Sequence, residues 1–147
     1  MENLDLGIIA EDVVVCERAL RDEGTSYHYV QPSKYAYASA EMTERIVKSL
    51  DNLGVTYMVG TSWTTDVPYR ETAEEVKRYQ KEGVLAVEME ASALFSVAAF
   101  RNVEMGAVFT ISDSIAELVW KPQFHETEIQ KKLQLLFQAA VNALLQK

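Results

Sequence analysis

Apolar positions in this 147-residue chain gather into short β-branched runs, separated by stretches with helical spacing. "DVVVCE" (Asp12 to Glu17), with three β-branched residues in a row, predicts a strand. "RDEGTSYHYVQPSKYAYAS" (Arg21 to Ser39) is polar and aromatic, contains Gly24 and Pro32, and predicts a long ordered loop. Ser39 opens a helix through Leu53, which Gly54 ends in the C′ position. "VTYMVGTSW" (Val55 to Trp63) predicts a second strand, and Thr72 with Glu75 forms a capping-box signature for a helix ending at Gly83. "VLAV" (Val84 to Val87) is a short buried strand that runs directly into a helix from about Glu90 to Asn102. "MGAVFTIS" (Met105 to Ser112) is another strand. Ile129, Leu133, Leu136, Phe137, Val141 and Leu144 give the helical spacing of a last helix from about His125 to Gln146.

This alternation predicts an α/β fold, with a mixed, largely parallel sheet flanked by helices, in a single domain spanning residues 1–147. The three apolar strands are expected at the centre, covered on both faces and therefore largely parallel. Ligands in such sheets bind just beyond the carboxyl ends of the strands. Three polar clusters fall at such ends: Thr64 to Tyr69, Glu88 to Glu90, and Ser112 with Asp113.

The middle cluster stands in "LAVEMEASALF" (Leu85 to Phe95), where two carboxylates interrupt the most hydrophobic segment of the chain. Burying an acid without partners is costly, so each needs a reason. Either Glu88 and Glu90 are first-turn acids complementing a helix dipole at the sheet edge, or Glu90 faces a pocket and accepts hydrogen bonds from a polar ligand. A carboxylate accepts two hydrogen bonds at once and suits a vicinal diol such as ribose. Asp113 is either an N-cap or a half-buried acid able to protonate a leaving group.

Composition narrows the partners. The charge is −8, from 22 acidic and 14 basic residues, which argues against a phosphate-backbone partner and leaves a small local ligand open. The single cysteine, Cys16, excludes an intrachain disulfide and is expected to be a buried strand residue. With no leader pattern and no run long enough for a membrane span, a soluble cytoplasmic setting is the expectation. His28 and His125 lack metal-ligand spacing, so no metal site is expected.

"VEMEASALF" followed by "TISDS", together with "RDEGTSYHY" and "GTSWTTDVPYRET", resembles the purine-nucleoside and uridine phosphorylase family from about Gly7 to the end. The resemblance implies phosphorolysis of a nucleoside to free base and ribose 1-phosphate, with phosphate as co-substrate and no cofactor. It implies that Glu90 binds the ribose hydroxyls, that Met89 packs on the sugar, and that Glu88 belongs to the same ribose-binding motif. Asp113 corresponds to the acid that protonates the purine as it leaves, a role that requires it to hold a proton near neutral pH. Thr65, Pro68, Tyr69 and Ser112 are carried over as base-facing residues, and Trp63 and Tyr69 either supply a stacking surface in place of the aromatic usually found at Pro68 or anchor the loop as core aromatics. The uracil-reading pair is not evident, since Thr72 stands near the expected glutamine, so a purine is the expected base.

The family's N-terminal half, with its glycine-rich phosphate loop, precedes the equivalent of Gly7 and has no counterpart here. Arg18, Arg21, Arg45, Arg70, Arg78 and Arg101 match no phosphate-binding motif. Three readings follow: a phosphorylase-family enzyme whose phosphate binding is lost, supplied by another chain or cut away; a nucleoside-binding module without turnover; and a phosphate-independent nucleosidase. An uncovered sheet edge further predicts self-association, as a dimer or higher homo-oligomer.

Overall fold

A computed structural model describes residues 1–4, 7–122 and 127–146. Its strands are β1 (Glu2–Asn3), β2 (Val13–Asp22), β3 (Tyr35–Tyr37), β4 (Met58–Thr65), β5 (Val84–Glu88), β6 (Ala107–Thr110), β7 (Asp113–Ser114) and β8 (Lys121–Pro122). The helices are α1 (Ala40–Asn52), α2 (Ala73–Lys81), α3 (Ala91–Arg101) and α4 (Thr127–Leu145). The strands form one mixed sheet in the order β3-β2-β4-β5-β1-β7-β8, with β6 also beside β2. Its centre, β2-β4-β5, is parallel.

The β-branched run explains why β2 is central. Val13, Val14, Val15 and Cys16 are all fully buried, as expected for a strand covered on both faces. Val13 and Val15 pack against α1 and α4, through Ile46, Leu50, Leu136 and Ala139. Val14 points the other way, to Ala86 and Ile111. Each such side chain contributes about 1.5–3 kcal/mol through removal from water.

Several expectations change. β2 continues through Asp22, with a register shift between Cys16 and Arg18, so the segment after Arg21 is not all loop. That segment also holds a 3-10 turn (Ser26–His28) and β3, which pairs antiparallel with β2. β6 is antiparallel to β2, not parallel as its apolar sequence suggested. "MGAVFTIS" is also not one strand. β6 stops at Thr110, Ile111 exchanges backbone hydrogen bonds with Glu11 and Asp12, and Ser112 N donates to Met1 O. β7 then pairs with β1, which pairs with β5. The segment from Ala107 to Ser114 therefore links β2 to β1 and curls the sheet back on itself.

The helix boundaries follow local chemistry. Thr72 Oγ1 accepts from Glu75 N at 3.3 Å while Glu75 Oε2 accepts from Thr72 N at 3.2 Å, completing the capping box of α2. Gly54 and Gly83 follow α1 and α2 at φ +67° and +75°, the left-handed region open to glycine. Ser39 is the N-cap of α1, but its hydroxyl accepts from Met105 N at 2.7 Å, tying the helix start to the approach to β6. The expected start of α4 at His125 lies outside the described residues. No helix among the described residues is long and apolar enough to cross a membrane.

Candidate active site

β4 and β5 lie side by side, with Thr64 opposite Glu88. Strand alternation puts Ser62 and Thr64 on one face, and both hydroxyls donate to Glu88 Oε1, Ser62 at 3.1 Å. Glu88 Oε2 accepts from the backbone N–H groups of Glu90 (2.7 Å) and Ala91 (2.6 Å). Thr64 Oγ1 also accepts from Ser92 N at 2.9 Å. Glu88 is thus a buried acceptor that satisfies the free N–H groups at the start of α3. Burial pushes its carboxyl above the ordinary range, against the lowering effect of those hydrogen bonds.

A second buried carboxylate holds the same helix start. Glu23 accepts from Thr25 N (2.7 Å), Ser26 N (2.9 Å) and, from α3, Ser92 Oγ (2.9 Å). Burial opposes its ionisation, but the hydrogen bonds from Ser26, Ser92 and Thr25 outweigh it and hold the carboxyl below its ordinary value. Beneath this network, Cys16 Sγ lies 3.3 Å from Ser62 Oγ, and burial pushes its thiol up to about 11. Cys16 is a structural thiol, as its sequence setting indicated.

Glu90 contrasts with both. It is exposed, and its carboxylate makes no hydrogen bond or ion pair among the described residues. Met89 beside it is 47% exposed. Across from them stands Asp113 on β7, 7% exposed. Its Oδ1 accepts from Ser112 Oγ at 2.6 Å and its Oδ2 from the Trp120 indole N–H at 2.8 Å. The α-amino group of Met1 lies 3.5 Å from Oδ1 and donates to Ser112 Oγ.

Pro68, Glu88, Met89, Glu90, Ser112 and Asp113 line one cavity of about 350 Å³, joined by Met1, Glu71 and Val87. The three polar clusters at strand ends therefore converge. Two of the expected base-facing residues do not join them. Tyr69 is fully exposed, and Thr65 is buried with its hydroxyl accepting from Val67 N at 3.3 Å. Thr65 opens instead on a neighbouring polar cleft shared with Asp22, Trp63, Arg70 and Arg78. Trp63 is a core aromatic: its indole donates to Asp22 at 3.0 Å and its ring packs 4.7 Å from that of Tyr79.

No Arg, Lys or His lines the cavity among the described residues. Arg21 is buried elsewhere, bonded to Ser26, Gln31 and Ser33 and stacked on Tyr27. Arg18 bonds Thr61, Arg45 pairs with Glu41, Arg78 bonds Tyr79, and Arg101 lies over Phe100. No cluster of three or more His, Cys, Asp or Glu among the described residues could hold a metal ion.

Sequence reasoning missed the supports of the two acids. Ser62 and Thr64 carried a signal, since polar residues two apart in an apolar strand share a face with their neighbour's acid. Trp120 carried none, because only the pairing of β8 with β7 brings it back to Asp113.

Residues 3–145 match the phosphorylase superfamily. The purine nucleoside phosphorylase DeoD-type of a Thermoanaerobacter species is 32% identical over 114 residues, 77% of this chain and 49% of its own length. That of Bacillus cereus is 35% identical over 107 residues, 71% of this chain and 45% of its own length. That of Streptococcus gordonii is 32% identical over 108 residues, 74% and 44%. The chain thus spans about half the length of the curated relatives it matches. The match along nearly its whole length, on a mixed sheet with helices on its faces, places the chain in the phosphorylase superfamily.

Proposed function

We propose that this chain carries the nucleoside-binding part of a purine nucleoside phosphorylase, cleaving the N-glycosidic bond to free base and ribose 1-phosphate. The observation that carries the reading is the convergence of Glu90 and Asp113 on one cavity, with Met89 beside them. Glu90 offers the ribose hydroxyls a carboxylate that is unengaged among the described residues. The C1′–N bond breaks with its electron pair passing to the base, and Asp113 gives the base ring a proton, so it leaves neutral. A phosphate oxygen forms the new bond to C1′, which carries oxocarbenium character in between, as in glycoside cleavage generally. Ser112 and Pro68 line the base side, while Thr65 and Tyr69 could join only after a rearrangement of the 65–70 loop. Phosphate is the co-substrate and no cofactor enters. The reading also makes the chain a cytoplasmic homo-oligomer that acts on small molecules.

A second reading has its own observation. The cavity lacks a cationic side chain for phosphate among the described residues, which favours nucleoside binding without turnover, or hydrolysis. One experiment separates them: release of free base from inosine, adenosine and uridine, with and without phosphate, in the unmodified chain and in Asp113→Asn. Phosphate-dependent release from the purine nucleosides that collapses in the variant supports the phosphorylase. Release without phosphate supports a nucleosidase, and binding without release supports a binding module.

A further inference from the structure

We infer that Trp120 is a positioning residue for Asp113, fixing the orientation of the carboxyl group that transfers the proton; the inference rests on the phosphorolytic reading. Asp113 and Trp120 are brought together by the β7–β8 hairpin, in which Asp113 pairs with Pro122 and Ser114 with Lys121. The intervening turn closes with a 2.8 Å hydrogen bond from Leu118 N to Ile115 O, with Leu118 at φ +60°. This returns Trp120 to place its indole N–H 2.8 Å from Asp113 Oδ2.

The two oxygens of Asp113 then face different chemistry. An indole N–H only donates, so a proton on Oδ2 would oppose it donor to donor. Oδ1 faces the Ser112 hydroxyl at 2.6 Å and, at 3.5 Å, the Met1 α-amino group. The Trp120 bond therefore keeps the carboxyl from exchanging its two oxygens, holding Oδ2 on the indole and Oδ1 on the side of Ser112 and the Met1 α-amino group. Trp120 is 55% exposed, so it can be replaced without emptying the core.

The test has one arm that does not depend on activity. The chain has two tryptophans, so a 15N–1H spectrum of the labelled protein shows two indole N–H signals. In Asp113→Ala the Trp120 signal should move while that of Trp63, bonded to Asp22, stays in place. The other arm compares Trp120→Phe, which keeps the ring and loses the donor, with Trp120→His, which restores a ring N–H. Trp120→Phe should lower kcat for inosine about tenfold, the worth of roughly one hydrogen bond to a charged group, and leave KM within about twofold. Trp120→His should recover part of the loss. A Trp120 signal unmoved in Asp113→Ala overturns the inference whatever the turnover, as does unchanged kcat in Trp120→Phe. Lack of turnover in the unmodified chain sinks the phosphorolytic reading alone, and the spectrum still decides the pairing.

Discussion

The two walls of the cavity present their acids in opposite ways. On the β5–α3 wall, Glu88 and Glu90 stand two residues apart, yet one is buried under four hydrogen-bond donors and the other has none among the described residues. Where a strand hands over to a helix, the chain turns. The first acid is left facing the helix's free N–H groups, and the second faces the opening. On the opposite wall Asp113 is held by Ser112, by a tryptophan seven residues on, and by Met1, 112 positions away in sequence. The first wall is a local cap network in regular structure, and the second is assembled from irregular segments. Acids on the first wall should divide sharply into those that stabilise the fold and those free to serve a ligand.

The largest effect expected from that division is at Glu88. Glu88→Ala strands two hydroxyls and two helix N–H groups, and should cost roughly 3 kcal/mol of unfolding free energy, read from the urea midpoint. A loss below about 1 kcal/mol would mean the network is slack and the contrast between the walls false.

Next is Ser92→Ala, which removes the α3 hydroxyl that donates to Glu23 and should cost about 1.5 kcal/mol. Its pH dependence sharpens the comparison, because Glu23 and Glu88 shift in opposite directions. Glu23 is held below its ordinary 4.5, so its stabilisation is full above about pH 4.5 and is lost as pH falls through the folded value. Glu88 is raised above 4.5, so its contribution is full below that value and declines as pH rises through the folded one. Ser92→Ala should therefore flatten the acid side of the stability profile, and Glu88→Gln the side above pH 4.5. An unmodified profile in both variants would sever the carboxylates from the stability of α3.

A smaller effect concerns Cys16, beneath the same wall. With its thiol pushed up to about 11, its reaction with a thiol reagent at pH 8 should run at least roughly a hundredfold slower than that of a free thiol. Rapid labelling of the folded chain would mean the network opens readily. The smallest stability effect is at Glu90: Glu90→Ala should stay within about 0.5 kcal/mol of the unmodified chain, while inosine binding, followed by calorimetry, is lost. A destabilising Glu90→Ala with intact binding would reverse the assignment of the two acids.

Legibility in the sequence followed the range of the interactions. The capping box at Thr72 and Glu75, the glycines ending α1 and α2, and the burial of Val13 to Cys16 are set within a few residues, and the pattern revealed them. The antiparallel direction of β6 was not visible, because an apolar run of four looks the same in either direction. The division of labour between Glu88 and Glu90 was half visible: the motif marked both, but only the pairing of β4 with β5 shows which acid is consumed internally. The retreat of Thr65 and Tyr69 from the cavity depends on how the 65–70 loop folds over β4, which spacing does not encode.

By itself, the sequence determined the alternation of strands and helices, the central place of β2, and the strand ends at which chemistry could gather, because these rest on local propensity and burial period. Only the tertiary structure decided that those ends meet in one cavity, that Glu88 serves the helix while Glu90 faces the opening, and that Trp120 reaches Asp113. Each of those outcomes depends on strand pairing and hairpin register. These join residues far apart in the chain and are fixed by the whole core closing at once.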